Sequence, residues 1–248
     1  MASTSETGHA KNLANFDEVI TSAITLGEAY NPSKPSLKLS AMQELSGNCK
    51  TSVLKVKTAT AAYKSAVDSR EVAFAPLNSF SSRVGNALKA SDTTDQTDQT
   101  AMSYIRKIQG RRASPKRSVE EKKSDVESGI EIRERSSSQM SFDNRIDNFE
   151  GLIQLLIGIT QYAPNEKELQ VESLKAFSDD LKKKNSAVVS ASIELGNARA
   201  SRNELMYKPI TGLVDIALDA KTYIKSVFGT KSNQYKQVSK LDFTKIRA

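Results

Sequence analysis

The chain has 248 residues, of which 38% are hydrophobic, 26% are charged and 11 are glycine, and its net charge is +7. That glycine content is below the roughly 7% typical of proteins, which disfavours glycine-dependent β folds and phosphate-loop enzymes. The single His and single Cys exclude a conventional metal site, a histidine-based triad and a disulfide framework. The composition therefore favours an all-α protein without an active site.

The first 14 residues are polar and are predicted to form a disordered tail, in which His9 is simply solvated. They contain no apolar stretch of the kind found in secretory signals. The most apolar run, residues 152–159, is far too short to span a bilayer. A lone cysteine fits a reducing compartment. We therefore expect a cytoplasmic protein with no transmembrane segment.

The chain is predicted to be a tandem duplication, with repeat 1 at residues 15–110 and repeat 2 at residues 142–248. NFDEVITSAIT, which starts at Asn15, matches NFEGLIQLLIGIT, which starts at Asn148. Beyond these runs both repeats contain the same aromatic-x-Pro pattern, which starts at Phe74 and again at Tyr207. Repeat 1 carries extra polar residues around 91–100, which displace the run SYIRKIQG relative to its match TYIKSVFG and are predicted to split the third helix of this repeat.

Each repeat is predicted to contain three helices, of which the central one is long. Apolar residues alternate by three and four along the central helix, from Met42 to Ala73 and from Leu174 to Leu205. Proline ends the segments at 32, 76, 164 and 209. The predicted fold is all-α: two three-helix units packed as one elongated bundle with pseudo-twofold symmetry.

Residues 111–141 are rich in Ser, Arg, Lys and Glu and have almost no large apolar side chain. Such a segment buries too little surface to order itself, so it is predicted to be a flexible charged linker.

Basic residues cluster in two places, which could attract nucleic acid or another anionic partner. One is a strip after Tyr104: Arg106, Lys107, Arg111, Arg112, Lys116 and Arg117. The other is the lysine-rich stretch from Lys221 onwards: Lys221, Lys225, Lys231, Lys236, Lys240, Lys245 and Arg247. No helix-turn-helix, finger or RNA-recognition motif accompanies them. Exposed lysines that only keep the protein in solution explain the same pattern.

No residue pattern indicates catalysis, so no catalytic, cofactor-binding or metal-ligating residue is predicted, and no cofactor. Cys49 lies on the seam of the central helix, where a buried thiol acts as a small apolar side chain. The chain is predicted not to be an enzyme.

Arg70 and Arg202 occupy equivalent seam positions one turn before the aromatic-x-Pro corner. A charge at such a position is costly unless it is paired. A structural role predicts that each guanidinium is satisfied within its own repeat, by corner carbonyls or an acid. A recognition role predicts an anionic ligand used twice.

Three runs in the second half carry a family resemblance: RIDNFEGLIQLLIGITQYAPNEKELQ, NARASRNELMYKPITGLVDIALDAKTYIKSVFG and SNQYKQVSKLDFTKIR. They resemble a family of uncharacterised helical proteins encoded in Bacteroidota genomes. The resemblance covers both repeats and implies a bacterial, non-enzymatic protein, with no catalytic residue to carry over.

The leading functional prediction is a structural or interaction protein that associates with itself or with another protein. The alternative is a nucleic-acid-associated protein that binds through residues 106–117 and the lysine-rich C-terminal stretch. A third possibility is a membrane-active helical protein using the apolar run 152–159.

Overall fold

The computed structural model describes residues 7–111 and 140–245, and within these ranges it contains helices and no strand. The helices are α1 (Thr7–Thr25), α2 (Leu39–Phe74), α3 (Leu77–Lys89), α4 (Asp95–Ile108), α5 (Phe142–Ile157), α6 (Val171–Tyr207), α7 (Leu213–Phe228) and α8 (Asn233–Ser239). Short 3-10 turns lie at Gly27–Ala29, Pro35–Leu37 and Lys167–Leu169. The all-α prediction is confirmed.

Two long helices, α2 with 36 residues and α6 with 37 residues, form where the sequence predicts them. Their predicted seams are buried, including Met42, Cys49 and Val56 on α2 and Leu174, Leu181, Val188 and Leu195 on α6. Both helices end just before a proline, because the ring at 76 or 209 removes a backbone donor and pushes the preceding residue out of helical conformation.

The predicted disordered tail is wrong for residues 7–14, because α1 already begins at Thr7. His9 and Asn12 are only 3% and 1% exposed. Their polar groups are bonded to Tyr207 and to the backbone of Thr244, so burial leaves them satisfied. Residues 1–6 lie outside the described ranges.

The first of two compact units combines the described residues up to Lys64 with those from Ala191 onwards. Its core joins α1 and the first half of α2 to the end of α6, α7 and α8. Representative members are Phe16, Met42, Met206, Ile216 and Val238.

The second compact unit covers Ser65–Ser190. Its core joins the end of α2, α3 and α4 to α5 and the first half of α6. Representative members are Leu77, Ile105, Phe149, Leu156 and Leu174.

The boundaries of both units fall inside α2 and α6, at residues 64/65 and 190/191. Each core consequently takes its first part from one predicted repeat and its second part from the other. The compact units are therefore not the blocks 15–110 and 142–248. Most of the predicted linker, residues 112–139, lies outside the described ranges.

The predicted interruption of the third helix in repeat 1 is present as the break between α3 and α4. The Thr94 side chain accepts a hydrogen bond from the Thr97 amide and caps α4, while Asp95 and Asp98 place negative charge in its first turn. In the second half, α7 runs without a break. No helix in the described ranges is long and apolar enough to cross a membrane.

Candidate functional site

The described part of the basic strip lies at the end of α4. Arg106 and Lys107 occupy its last turn, where positive charge suits the helix dipole, and Arg111 is exposed just beyond. The Lys107 ammonium lies 5.7 Å from the centre of the Tyr104 ring. Arg112, Lys116 and Arg117 lie outside the described residues.

Tyr104, the aromatic residue beside the basic strip, packs against α5. A Cβ placed on Gly151 of α5 would stand 2.5 Å from Tyr104 Cε1, so the ring fills the space between α4 and α5. Tyr104 is only partly exposed and packs against the core of the second unit. The aromatic part of the predicted nucleic-acid site is thus used in packing.

The lysines of the C-terminal stretch divide into two groups. Lys221 donates to the carbonyls of Leu241 and Ser239 at 2.7 and 3.3 Å, and burial lowers its pKa. Lys225 lies 5.8 Å from the Tyr235 ring, and Lys245 pairs with Asp215 at 2.6 Å. Lys231, Lys236 and Lys240 are exposed, and Arg247 lies outside the described residues.

Arg70 contacts side chains of the other predicted repeat, so the expectation of partners within its own repeat is wrong, and its buried Nε has no hydrogen-bond partner among the described residues. Its NH1 donates to Asn185 Oδ1 at 3.0 Å, and its guanidinium lies 3.8 Å above the Phe142 ring. Asn185 in turn donates to Asp143 Oδ1 at 2.6 Å. These partners come from α5 and α6 because the corner of repeat 1 belongs to the core that those helices complete.

Arg202 is 3% exposed, and its Nε and NH2 donate to Asn203 Oδ1 at 3.1 and 2.9 Å. This contact lies within its own repeat, as expected, although it is made to an amide rather than to a carbonyl or an acid. The arrangement around both arginines is that of packed, hydrogen-bonded corners.

Ring contacts occur at both aromatic-x-Pro corners. In the second unit the Phe74 and Phe142 rings meet edge to face at 4.8 Å, and Arg145 lies 5.4 Å from the Phe74 ring. In the first unit the His9 and Tyr207 rings lie 5.6 Å apart, with His9 Nδ1 at 2.7 Å from the tyrosine oxygen. His9 is therefore a buried structural side chain, and the expectation of a solvated histidine is wrong.

Cys49 is fully buried on α2. Burial, with a smaller contribution from the charge of Asp17, raises the pKa of its thiol to about 11. The thiol therefore stays protonated near neutral pH, as a core side chain should. Among the described residues, no group of three or more His, Cys, Asp or Glu is arranged to hold a metal ion.

The long helices of the first unit carry a second face that was not predicted from the sequence. On α6, Ile193 is 59% exposed and is followed at spacings of three and four by the exposed Gly196 and Ala200. On α2, Leu54 is 62% exposed and is followed at spacings of four and three by the exposed Thr58 and Ala61. We call these two rows the outer stripes. The sequence signal for this face is the aliphatic residues of the long helices that do not belong to the buried seam.

Comparisons of the chain with protein-family models, with curated proteins and with solved structures gave no match.

Proposed function

We propose that the protein is a non-enzymatic interaction protein that associates with a second copy of itself through the long helices. The outer stripes carry this proposal, because each of them places one large aliphatic side chain, Leu54 or Ile193, more than half exposed and in line with small exposed residues. Exposed apolar patches are typical of surfaces that bind another protein.

The spacing of the outer stripes favours a helix as the partner. Steps of three and four residues place side chains in line along a helix, which is the pattern that a second helix buries in coiled-coil packing. Small side chains at Gly196 and Ala200 leave room for a close approach, since a Cβ on Gly196 would meet no atom within 4 Å. Two copies present the same surface, so a symmetric pair can bury it on both sides.

Paired contacts support the further proposal that the chain is a tandem duplication. Tyr30 donates to the Leu37 carbonyl at 2.9 Å, and Tyr162, 132 positions later, donates to the Leu169 carbonyl at 2.8 Å. Duplication of one sequence would account for such equivalent contacts within each half, and a pseudo-twofold relation of the halves stays a prediction.

Equivalent ion pairs point in the same direction. Lys50 pairs with Asp17 at 2.9 Å, and Lys182 pairs with Glu150. The two pairs occupy positions matched by the predicted duplication, with the lysines 132 and the acids 133 positions apart. A duplicated scaffold with two similar cores suits a structural or interaction role. Bacterial origin and a cytoplasmic location stay predictions from the sequence.

The test is the association state of an Ile193→Asp variant, measured by size-exclusion chromatography with light scattering over a range of concentrations. A charge at the centre of a buried apolar contact should weaken association by about tenfold or more. The matched control is Ser201→Asp, which adds the same charge to an exposed serine of α6 that is not three or four residues from any member of the stripe. A wild-type protein that stays monomeric throughout, or an Ile193→Asp variant that associates like wild type, would contradict the proposal.

The second candidate function is binding of nucleic acid, favoured by the exposed Lys231, Lys236 and Lys240 around α8 and by Arg111. Phosphate contacts of this kind weaken steeply as salt rises. A mobility shift of DNA or RNA that disappears with added salt, and that is lost in a Lys231→Gln, Lys236→Gln, Lys240→Gln variant, would favour this candidate.

A further inference from the structure

A non-helical segment, residues 241–245, lies along α1 in the first unit. Asn12 holds it by two hydrogen bonds: the Thr244 amide donates to Asn12 Oδ1 at 3.0 Å, and Asn12 Nδ2 donates to the Thr244 carbonyl at 2.9 Å. Two residues earlier in the segment, the Asp242 carbonyl accepts a hydrogen bond from Asn15 Nδ2 at 2.6 Å. The two asparagines thus bind main-chain atoms of alternate residues.

This geometry is that of a site for extended main chain. Asn12 and Asn15 are three residues apart and share one face of α1, while Asp242 and Thr244 are two residues apart, as same-side residues of a strand are. An amide that donates to and accepts from one residue reproduces the bonding of a neighbouring strand. Such contacts fix the backbone and leave the side chains to provide selectivity.

Side-chain contacts on the other wall of this groove come from α7. Lys221 donates to the Leu241 carbonyl at 2.7 Å and lies 5.8 Å from the Phe243 ring. Asp215 pairs with Lys245 at 2.6 Å, and this pairing is the main cause that lowers the pKa of the Asp215 carboxyl. Leu241 and Phe243 pack against the core of the unit. The groove therefore fits a Leu-x-Phe-x-Lys segment.

The groove residues on α1 are more deeply buried than the segment that they bind. Asn12 and Asn15 are 1% and 9% exposed, so their amides are buried and fixed on a helix. In the segment, Asp242, Thr244 and Lys245 are exposed, and Leu241 and Phe243 are only partly buried. Segments with few buried contacts open locally at low cost, whereas buried amides left without partners favour rebinding.

We propose that this groove also binds residues 241–245 of a second copy, so that copies exchange the segment. Every copy carries both the groove and a segment with the side chains that fit it, and exchange of an identical element creates no new interface chemistry. The inference rests on the proposed self-association and deepens it by naming a site and its occupant.

The first experiment uses a full-length Thr244→Pro variant and a fluorescent peptide of residues 239–245, Ser-Lys-Leu-Asp-Phe-Thr-Lys. Proline removes the amide that donates to Asn12 and loosens the chain's own segment without altering the groove. We expect saturable peptide binding by fluorescence anisotropy. The peptide should bind to the wild-type chain at least about tenfold more weakly, because the chain's own segment competes for the groove at high effective concentration.

Two controls decide whether the peptide binds in the expected way. A peptide with proline in place of the threonine should bind about tenfold more weakly, and so should the native peptide to a chain that carries Asn12→Ala with Thr244→Pro. An exposed asparagine substituted in the same background, Asn197→Ala, should leave binding unchanged. Equal binding of both peptides, or no saturable binding to a variant that is folded by circular dichroism, would overturn the proposal.

The second experiment leaves Thr244 and Asn12 unchanged and applies if Thr244→Pro does not fold. Full-length Asp215→Cys and Lys245→Cys chains are mixed and treated with a short bifunctional maleimide. Exchange predicts heterodimers joined through these two positions, well above a Ser192→Cys and Lys245→Cys mixture, and equal yields would overturn it. Because Ile193→Asp removes the outer-stripe contact without touching this groove, its effect separates failure of exchange from failure of association.

Discussion

Tyr30 and Tyr162 close the turns that lead into the two long helices. Each hydroxyl donates to a carbonyl seven residues further on, Leu37 or Leu169, and each residue is buried. Burial raises the pKa of both phenols to about 12, with smaller contributions from Tyr223 and Glu166 respectively. The hydroxyls therefore remain donors well into the alkaline range.

This raised pKa predicts an alkaline loss of stability. In the unfolded chain a phenol ionises near 10.0, whereas in the folded chain it keeps its proton to about 12. Between these values the unfolded state binds fewer protons, so the free energy of unfolding falls as pH rises. The contribution is complete below pH 10.0, and each tyrosine should remove at most about 1.4 kcal/mol per pH unit within that window.

Urea denaturation followed by circular dichroism, below pH 10.0 and between pH 10.0 and 12, measures this slope. The double variant Tyr30→Phe with Tyr162→Phe should lose a large part of it. A double variant with the wild-type slope would contradict the explanation.

In the second unit, α4 and α5 approach each other closely at Gly151. Gly151 on α5 has no side chain, and Tyr104 of α4 occupies the space where a Cβ would stand. The situation differs on α2, where Gly47 is exposed and an added Cβ would meet no atom within 4 Å. The same substitution should therefore have opposite effects on the two helices.

Gly151→Ala should lower the free energy of unfolding by about 1–3 kcal/mol, because a ring in a packed contact must move. Gly47→Ala should raise it by up to about 1 kcal/mol, because alanine favours a helix interior and nothing opposes it. Urea titrations of the two variants measure the difference. Stabilisation by Gly151→Ala would show that α4 and α5 are not in the tight contact described.

The sequence predicts those helices and helix breaks that depend on residues close together in the chain. The three-four spacing and the prolines place α2 and α6, and the polar residues at 91–100 place the break before α4. The start of α1 was not predictable in this way, since His9 and Asn12 are polar and become buried only against Tyr207 and Thr244. Those partners lie about two hundred positions away in the chain.

In the candidate sites too, local sequence identifies an unusual residue but does not identify its distant partners. An arginine on an apolar seam identifies Arg70 and Arg202 as unusual, but the partners Asn185 and Phe142 of Arg70 come from the other repeat. Neither the groove for residues 241–245 nor the outer stripes follow from a motif, because both depend on which faces the fold buries.

At the scale of the whole molecule, two cores are each completed by both halves of the chain. Phe16 and Leu77 precede the linker but lie in different cores, and the same holds for Phe149 and Met206 after it. Neither half alone contains all the members of either core. The halves are thus interdependent for stability.

Limited trypsin digestion tests this interdependence. The first cuts are expected between Arg111 and Arg145, where basic residues are dense and large apolar residues are rare. The two fragments should elute together from a sizing column in native buffer, because both cores span the cut, and should separate in urea. Fragments that separate without denaturant would mean that each half folds as an independent domain.

The composition of the second unit also sets an order of events during synthesis. Its residues fall between Ser65 and Ser190, so its core can form while the last quarter of the chain is still being made. The first core needs Met206, Ile216 and Val238, so α1 must wait for partners that emerge last. During that interval Phe16, Val19 and Ile20 lack the core partners that come from α6, α7 and α8. The apolar face of α1 therefore stays incompletely covered until those helices have been synthesised.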